Sequence, residues 1–310
     1  MTAKRVHLTL PTYVLGEQRC QLADAADVLP GVRESLGQAG VDAYWTTKLS
    51  SAELALEAGR ALLAADGADP EAIDAVIYAT NHWDHEIPDN LTVSRTLSGL
   101  GLRDPAILGV SLGQCANSQL ALQQAAALIE SGRAANVLIL CVDKIPEGAS
   151  RLVAPKISMI SDCASAVLVT TSCEGAEYLL LDSFLRVNVD LGLVDPEVRF
   201  SEYLSGVGEG FVAAVAEAMR RTQLSVPELR AILPNNYNRW IARAVTSLAG
   251  FTAEQLYLDN VPRMAHAGAS DTFVNLRDYT LEQAPRAGES LLLLATAPNM
   301  WGVAILRRVT

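Results

Sequence analysis

Short runs of consecutive apolar residues alternate along the chain with longer stretches in which apolar positions recur every three or four residues. These are the signatures of buried strands and amphipathic helices. Ser50 and Glu53 form a capping-box pattern opening a helix through Leu54, Leu62 and Leu63 to Asp66, where Gly67 stops it. Residues 75–80 read as a buried strand, 90–100 as a helix, 107–112 as a strand, 116–131 as a helix ended by Gly132, and 136–142 as a strand, with further strands at 163–171 and 178–187. The remainder repeats the plan: helix 208–222, strand 229–233, helices 240–248 and 272–279, strands 290–296 and 302–309.

Two local echoes support the repetition. Residues 73–81 parallel 229–235, and Ser131-Gly132-Arg133 leading into a strand parallels 284–288 leading into 291–294. They suggest two related α/β halves, divided as 1–172 and 173–310, with chance similarity of ordinary βαβ units as the alternative.

Composition narrows the classes. A chain of 310 residues, 50% hydrophobic and 19% charged, has the balance of a compact folded protein. A net charge of −11 leaves no basic surface for a phosphate backbone, so no nucleic-acid partner is expected. No apolar run approaches the roughly 20 residues of a membrane span. Residues 1–10 carry Lys4, Arg5 and His7 without a leader-like apolar core, which gives a cytoplasmic expectation. Cys20, Cys115, Cys141, Cys163 and Cys173 show no CxxC spacing, arguing against a disulfide framework and a structural zinc site.

Cys115 stands between the predicted strand 107–112 and the predicted helix from 116, with Gly113 supplying the turn of a strand–turn–helix elbow. Unpaired N–H groups and the helix dipole favour negative charge at such a place, on sulfur or on a reaction oxyanion. Cys115 thus reads either as a nucleophile or as an inert buried thiol. A nucleophile needs a base. Of four histidines, His7 lies in the first strand, where a structural or surface role fits, and His82 and His85 flank Trp83 and Asp84 in a loop. His266 lies in a small-residue loop, 263–271, where Asp271 is placed to orient its imidazole or to cap the next helix, roles that are not exclusive. His82, Asp84 and His85 lack the i, i+4 spacing of a helical metal pair, so a solvated loop is preferred to a metal site. No GxGxxG or GxxxxGK[ST] stretch supports a nucleotide site.

The segments 109–127 around Cys115, 129–139, 160–168, 233–238 and the terminal Trp301-Gly302, in this order and spacing, resemble the β-ketoacyl-acyl carrier protein synthase III group of the thiolase superfamily over essentially the whole chain. The resemblance implies a thiolase-like α/β fold in which two pseudo-duplicated βαβαβ halves form a five-layered αβαβα core. It also implies a homodimer, no permanently bound cofactor, and an acyl-carrier-protein phosphopantetheine or coenzyme A thioester as acyl donor.

The departures from that family are informative. Its members use Cys, His and Asn, the last two stabilising the enolate left when a malonyl unit loses carbon dioxide. Here Asn235 stands at the usual His position and His266 at the usual Asn position. A thiol and an imidazole suffice for transacylation. His266 followed by Asp271 resembles the antibiotic-pathway relatives that move an intact acyl group to a hydroxyl or amine. The resemblance then implies Cys115 as acyl carrier, His266 as base towards a small-molecule acceptor, Asp271 as its orienter and Asn235 as a hydrogen-bond donor to substrate. It assigns substrate-binding places to Asn238, His85, Ile87 from across a dimer interface, and Ala297, whose N–H would be the second oxyanion donor because Pro298 has none. Residues 39–42 lack the family's adenine-contacting arginine, which favours a carrier protein over coenzyme A. A carbon–carbon condensing enzyme and a non-catalytic partner subunit are the alternatives.

Overall fold

The computed structural model describes residues 4–81, 83, 89–153, 156–196 and 198–309. His82, Asp84, His85 and Ile87 lie outside the described residues, and with them the loop and cross-dimer roles expected there. The first half comprises β1 (His7–Leu8), β2 (Thr12–Leu15), β3 (Gln18–Gln21), α1 (Pro30–Gln38), β4 (Ala43–Thr46), α2 (Ser51–Asp66), β5 (Ala75–Ala79), α3 (Asp89–Gly99), β6 (Ala106–Val110), α4 (Asn117–Glu130), β7 (Asn136–Asp143), β8 (Leu152–Val153), β9 (Ser158–Met159) and β10 (Cys163–Thr170). The second comprises β11 (Tyr178–Val187), α5 (Phe200–Thr222), β12 (Leu229–Pro234), α6 (Arg239–Leu248), α7 (Asn260–Met264), α8 (Asp271–Gln283), β13 (Ser290–Ala297) and β14 (Met300–Arg308). The capping box and glycine stop expected around α2 are both present, with Ser50 accepting from the Glu53 N–H and Gly67 at φ 60°.

The sheet runs β12-β13-β14-β11-β1-β10-β7-β5-β6, with β2 continuing alongside β10. Outward from the antiparallel β1–β11 seam, each half shows the same sequence of pairings: antiparallel, antiparallel, then parallel. β5 therefore corresponds to β12 and β7 to β13, the strands marked by the two sequence echoes. The first half adds β6, parallel to β5 at the sheet edge.

Alternation along β7 shows how the layers assemble. Val137, Ile139 and Cys141 join a central core with Ala121 and Leu122 of α4, Phe273 and Leu276 of α8, and Leu291 and Leu293 of β13. Leu138, Leu140 and Val142 face α2 and α3 on the other side. A third core sets Phe211 and Val215 of α5 against Ile232, Leu292 and Ile305. Strands buried on both faces give the near-continuous apolar runs seen in the sequence, and each fully buried Leu, Ile or Val contributes about 1.5–3 kcal/mol. The result is the expected αβαβα order, with α4 and α8 in the middle layer.

α5 begins at Phe200, not near 208 as the pattern predicts. Gly206, Gly208 and Gly210 lower its intrinsic helix propensity, but Gly210 is needed for packing: a Cβ there would overlap the fully buried Trp301 ring.

Candidate active site

β6 ends at Val110, a tight 3₁₀ turn spans Gln114–Ala116, and α4 starts at Asn117. The residue in the left-handed region is Gln114 at φ 49°, while Gly113 has an ordinary φ of −80°. The turn expected of Gly113 is thus made one residue later. Gly113 is required by proximity: its N–H donates to Asn117 Oδ1 at 2.8 Å, and a Cβ would meet that oxygen at 2.9 Å. Asn117 in turn donates to Asn81 Oδ1 at 2.9 Å and the Thr80 carbonyl at 3.2 Å, tying the elbow to the end of β5.

The His266 loop has a matching construction at the start of α8. Its backbone is stitched to β9 and the residues after it: the His266 N–H donates to the Met159 carbonyl at 3.0 Å and its carbonyl accepts from the Ser161 N–H at 2.8 Å. Ala265 sits at φ 51°, immediately before His266, as Gln114 does before Cys115. A non-glycine residue held in such a region costs of order 1–3 kcal/mol and persists only where the surroundings over-determine it.

Cys115 Sγ, His266 and Asp271 form a line. His266 Nε2 lies 3.0 Å from Sγ and Nδ1 lies 2.5 Å from Asp271 Oδ2. Asp271 Oδ1 also accepts from the Ala267 N–H at 2.7 Å and Asn236 Nδ2 at 3.1 Å, and Oδ2 from the Asn236 N–H at 2.8 Å and Asn235 Nδ2 at 3.3 Å. Asp271 opens α8 but does not cap it; the N-cap is Ser270. Of its two expected roles, the geometry shows the contact to the imidazole. Burial opposes a charged His266, yet the Asp271 carboxylate and the Cys115 sulfur, one on each side, outweigh it and hold its pKa well above the usual 6.5. The Tyr237 ring, 4.6 Å from the imidazole, covers it. Burial and the neighbouring Cys115 charge push the Tyr237 hydroxyl well above its usual value, and it donates to the Thr296 carbonyl at 2.6 Å.

A cavity of about 630 Å³ opens on this line and extends between α5 and α6. Cys115, Gln114, Asn235, Tyr237, Thr296 and Ala297 surround its inner end. Asn235 is largely engaged within the protein: one amide N–H goes to Asp271, and Oδ1 accepts from the Thr296 N–H at 2.5 Å. It links β13 to the carboxylate, leaving only its second N–H for a substrate. Asn238 is not brought to the site. Its Oδ1 caps α6 at the Ile241 N–H, 2.9 Å, and its Nδ2 donates to the Ile157 carbonyl at 2.7 Å, so the substrate-binding expectation is replaced by a structural one. Among the described residues, no group of three or more His, Cys, Asp and Glu is placed to hold a metal ion, and no helix is long and apolar enough to cross a membrane.

Sequence reading missed Asn81, Asn117, Asp143 and Tyr237. The Asn81 N–H donates to Asp143 Oδ1 at 2.7 Å, its Nδ2 lies 4.0 Å from Cys115 Sγ, and Asp143 Oδ2 accepts from the Ala269 N–H at 2.7 Å. This buried carboxylate joins the Cys115 side of the site to the His266 turn. Gly268, at φ 59°, lets the backbone approach it, since a Cβ would overlap Asp143 Oδ2. A usable signal existed: Asn81 follows β5 and Asp143 ends β7, and carboxyl ends of parallel strands are where α/β sheets gather their sites.

The fold is thiolase-like, and it brings Cys115, His266 and Asp271 into one hydrogen-bonded line at the turn before α4. The family described as 3-oxoacyl-[acyl-carrier-protein] synthase III matches residues 112–188, the elbow through β11. Over 278 residues the chain is 27% identical to a beta-ketoacyl-[acyl-carrier-protein] synthase III of Roseiflexus castenholzii, covering 82% of each sequence. The structure of 3-oxoacyl-(acyl carrier protein) synthase III, FabH, from Pseudomonas aeruginosa superposes with a TM-score of 0.81 at 21% identity, covering 99% of both chains. ChlB3, an acyltransferase, gives a TM-score of 0.83 at 16% identity, covering 99% of this chain and 98% of that one. The chain therefore has a thiolase-like α/β fold, and its segment around the elbow is similar to the synthase III family.

Proposed function

We propose that this enzyme transfers an intact acyl group from a carrier-protein or coenzyme A thioester, through Cys115, to the hydroxyl or amine of a small biosynthetic intermediate in secondary metabolism. The observation that carries this reading is His266 held between Cys115 and Asp271 at 3.0 and 2.5 Å, while the residue at the family's usual histidine position, Asn235, is engaged with Asp271 and Thr296. One imidazole backed by a carboxylate suits proton transfer to and from heteroatoms. It does not pair two donors on an enolate.

In the loading step the Cys115 thiolate attacks the thioester carbonyl, and the tetrahedral intermediate collapses with loss of the donor thiolate, which takes the proton of the His266 imidazolium. Oxyanion stabilisation falls to backbone N–H groups at the elbow and at Ala297. Neutral His266 then removes the acceptor's O–H or N–H proton as that atom attacks the acyl-cysteine. Cys115 leaves as thiolate and the ion pair is restored. Asp271, 2.5 Å from Nδ1, fixes the tautomer.

The assembly is a homodimer in this reading. Among the described residues β6 has β5 as its only strand neighbour, and Ile107 on it and Leu112 just after it are 54% and 83% exposed; an apolar edge strand needs a cover. Condensation is the second reading, favoured by the synthase names of the curated relatives. Intact-protein mass spectrometry after mixing with acetyl, malonyl and longer acyl thioesters separates them, with Cys115→Ala and His266→Ala as controls. A malonyl group that stays whole on Cys115 and passes to an alcohol or amine supports transfer. Loss of carbon dioxide on the enzyme overturns it in favour of condensation, and absence of any Cys115-dependent adduct leaves a non-catalytic partner subunit.

A further inference from the structure

Cys115 Sγ faces a second donor besides the imidazole. Asn81, just after the end of β5, places Nδ2 4.0 Å from the sulfur. The direction of that amide is fixed by a chain of hydrogen bonds. Asn117 Oδ1 accepts the Gly113 N–H at 2.8 Å, which turns Asn117 Nδ2 towards the carbonyl oxygens of Thr80 and Ser111 and towards Asn81 Oδ1 at 2.9 Å. With its oxygen committed to Asn117, Asn81 has two amide N–H groups to place. One donates to Asp143 Oδ2 at 3.3 Å, and the other points to Cys115 Sγ. Flipping the amide would set its oxygen against the carboxylate and leave two NH2 groups facing each other.

Asp143 holds the backbone as well. Its Oδ1 accepts the Asn81 N–H at 2.7 Å and its Oδ2 the Ala269 N–H at 2.7 Å, in a residue that is 1% exposed. The other half of the molecule uses the same device. Asn235, which stands where Asn81 stands in the repeated segment, donates Nδ2 to Asp271 Oδ2 at 3.3 Å, and the Asn236 N–H donates to the same oxygen at 2.8 Å. The sulfur thus lies between two donors, His266 and Asn81, each held by a buried carboxylate, Asp271 and Asp143. The imidazole contact is short. The amide contact is long for a neutral thiol and gains strength as charge gathers on sulfur, because a fixed dipole aimed at a developing anion needs no reorganisation.

We propose that Asn81 is a catalytic residue of this site, its N–H supporting negative charge on Cys115 Sγ as sulfur attacks and again as it leaves, and that Asp143 is the positioning residue that aims it. The inference rests on the reading of Cys115 as the acyl carrier and does not depend on which acceptor follows.

Iodoacetamide keeps the two apart. Its alkylation of Cys115, in which an S–C bond forms as iodide leaves, needs the sulfur anion but no thioester, carrier or acceptor. On the full chain, peptide mass spectrometry follows Cys115 beside the exposed Cys173 as internal reference. At about pH 6.5, parent Cys115 is expected to react faster than Cys173. Asn81→Leu, of similar volume and without the donor, is expected to slow Cys115 by about fivefold or more and to carry its pH–rate profile to higher pH, with Cys173 unchanged. Asn81→Asp, the same shape with an acceptor in place of the donor, is expected to slow it further. Asp143→Asn acts in the same direction, and on top of Asn81→Leu it adds less than about twofold, since the two work through one contact. Asn81 is half-buried in a turn, and thermal melts confirm that its variants keep the fold. An unchanged rate and profile in both Asn81 variants overturns the role of Asn81. Full additivity of Asp143→Asn with Asn81→Leu overturns Asp143 as its positioning residue. A parent Cys115 no more reactive than Cys173 overturns the inference together with the acyl-carrier reading. Reactive, Asn81-dependent Cys115 that takes no acyl group from any thioester removes that reading alone and leaves the Asn81 contact standing.

Discussion

Replacing Asp271 with Asn tests whether a carboxylate holds the proton on His266. The substitution keeps shape and removes one buried charge 2.5 Å from Nδ1. At an effective dielectric constant near 20, two unit charges about 4 Å apart interact by about 4 kcal/mol. At about 1.4 kcal/mol per factor of ten, losing that support from the imidazolium slows loading of Cys115 by roughly a thousandfold. The imidazole pKa falls at the same time, because burial, which opposes the charge, is then less well countered. Stability drops too. Asp271 accepts from the Ala267 and Asn236 N–H groups and from the amides of Asn235 and Asn236. An amide has one oxygen to offer them, and each stranded buried donor costs about 1–3 kcal/mol. Quenched-flow mixing with an acyl thioester, read by intact mass, gives the loading rate, and NMR titration of ring-labelled His266 gives the pKa. Loading within threefold of the parent, with the His266 titration unmoved, refutes the electrostatic reasoning whatever the effect on melting.

Stability should carry the His266 signature with a definite sign: its folded pKa is raised, so its contribution is complete below about 6.5, the unfolded value, and is lost as pH rises through the folded value. Urea melts of parent and His266→Gln should therefore differ most on the acid side and converge at alkaline pH; a gap that widens with pH contradicts this. Gln114→Gly relieves a left-handed residue at φ 49° and should raise stability by about 1 kcal/mol, seen as a higher Tm, while loosening the elbow enough to slow loading. Asn238→Ala should cost about 1 kcal/mol through its lost α6 cap while leaving loading within a few fold, and a far larger loss of loading at unchanged Tm would return Asn238 to the substrate site. Ile107→Lys on the β6 edge should give monomers by light scattering, and persistence of a dimer would place the interface elsewhere.

The strands of the central sheet were legible because residues such as Val137 to Val142 are buried on both faces and leave an uninterrupted apolar run. The start of α5 was not, since Gly206, Gly208 and Gly210 argue locally against a helix and what packs against them is remote in sequence: Leu191, Leu248 of α6 and the Trp301 ring of the last strand. At the site, Cys115 and His266 announced themselves by rarity and by loop context. Asn81, Asn117 and Asp143 did not. They are common polar residues whose importance comes from meeting in space, 36 positions apart for the Asn117–Asn81 contact. The strained residue was misplaced by one position, because sequence points to glycine wherever a tight turn is needed. Here Gly113 serves proximity to Asn117 and Gln114 carries the unusual φ.

The matching pairings on either side of the β1–β11 seam place the turn before α4 and the turn before α8 at corresponding points of a repeated unit. Cys115 and His266 thus stand at the same architectural position used twice, with different side chains. Divergence after duplication would let each copy specialise, one keeping the sulfur and the other the imidazole and carboxylate, so that neither copy is an enzyme by itself. Cutting the exposed stretch around Ser172 to Gly175 would yield two inert fragments whose reunion restores the reaction, making this chain a natural scaffold for a split reporter.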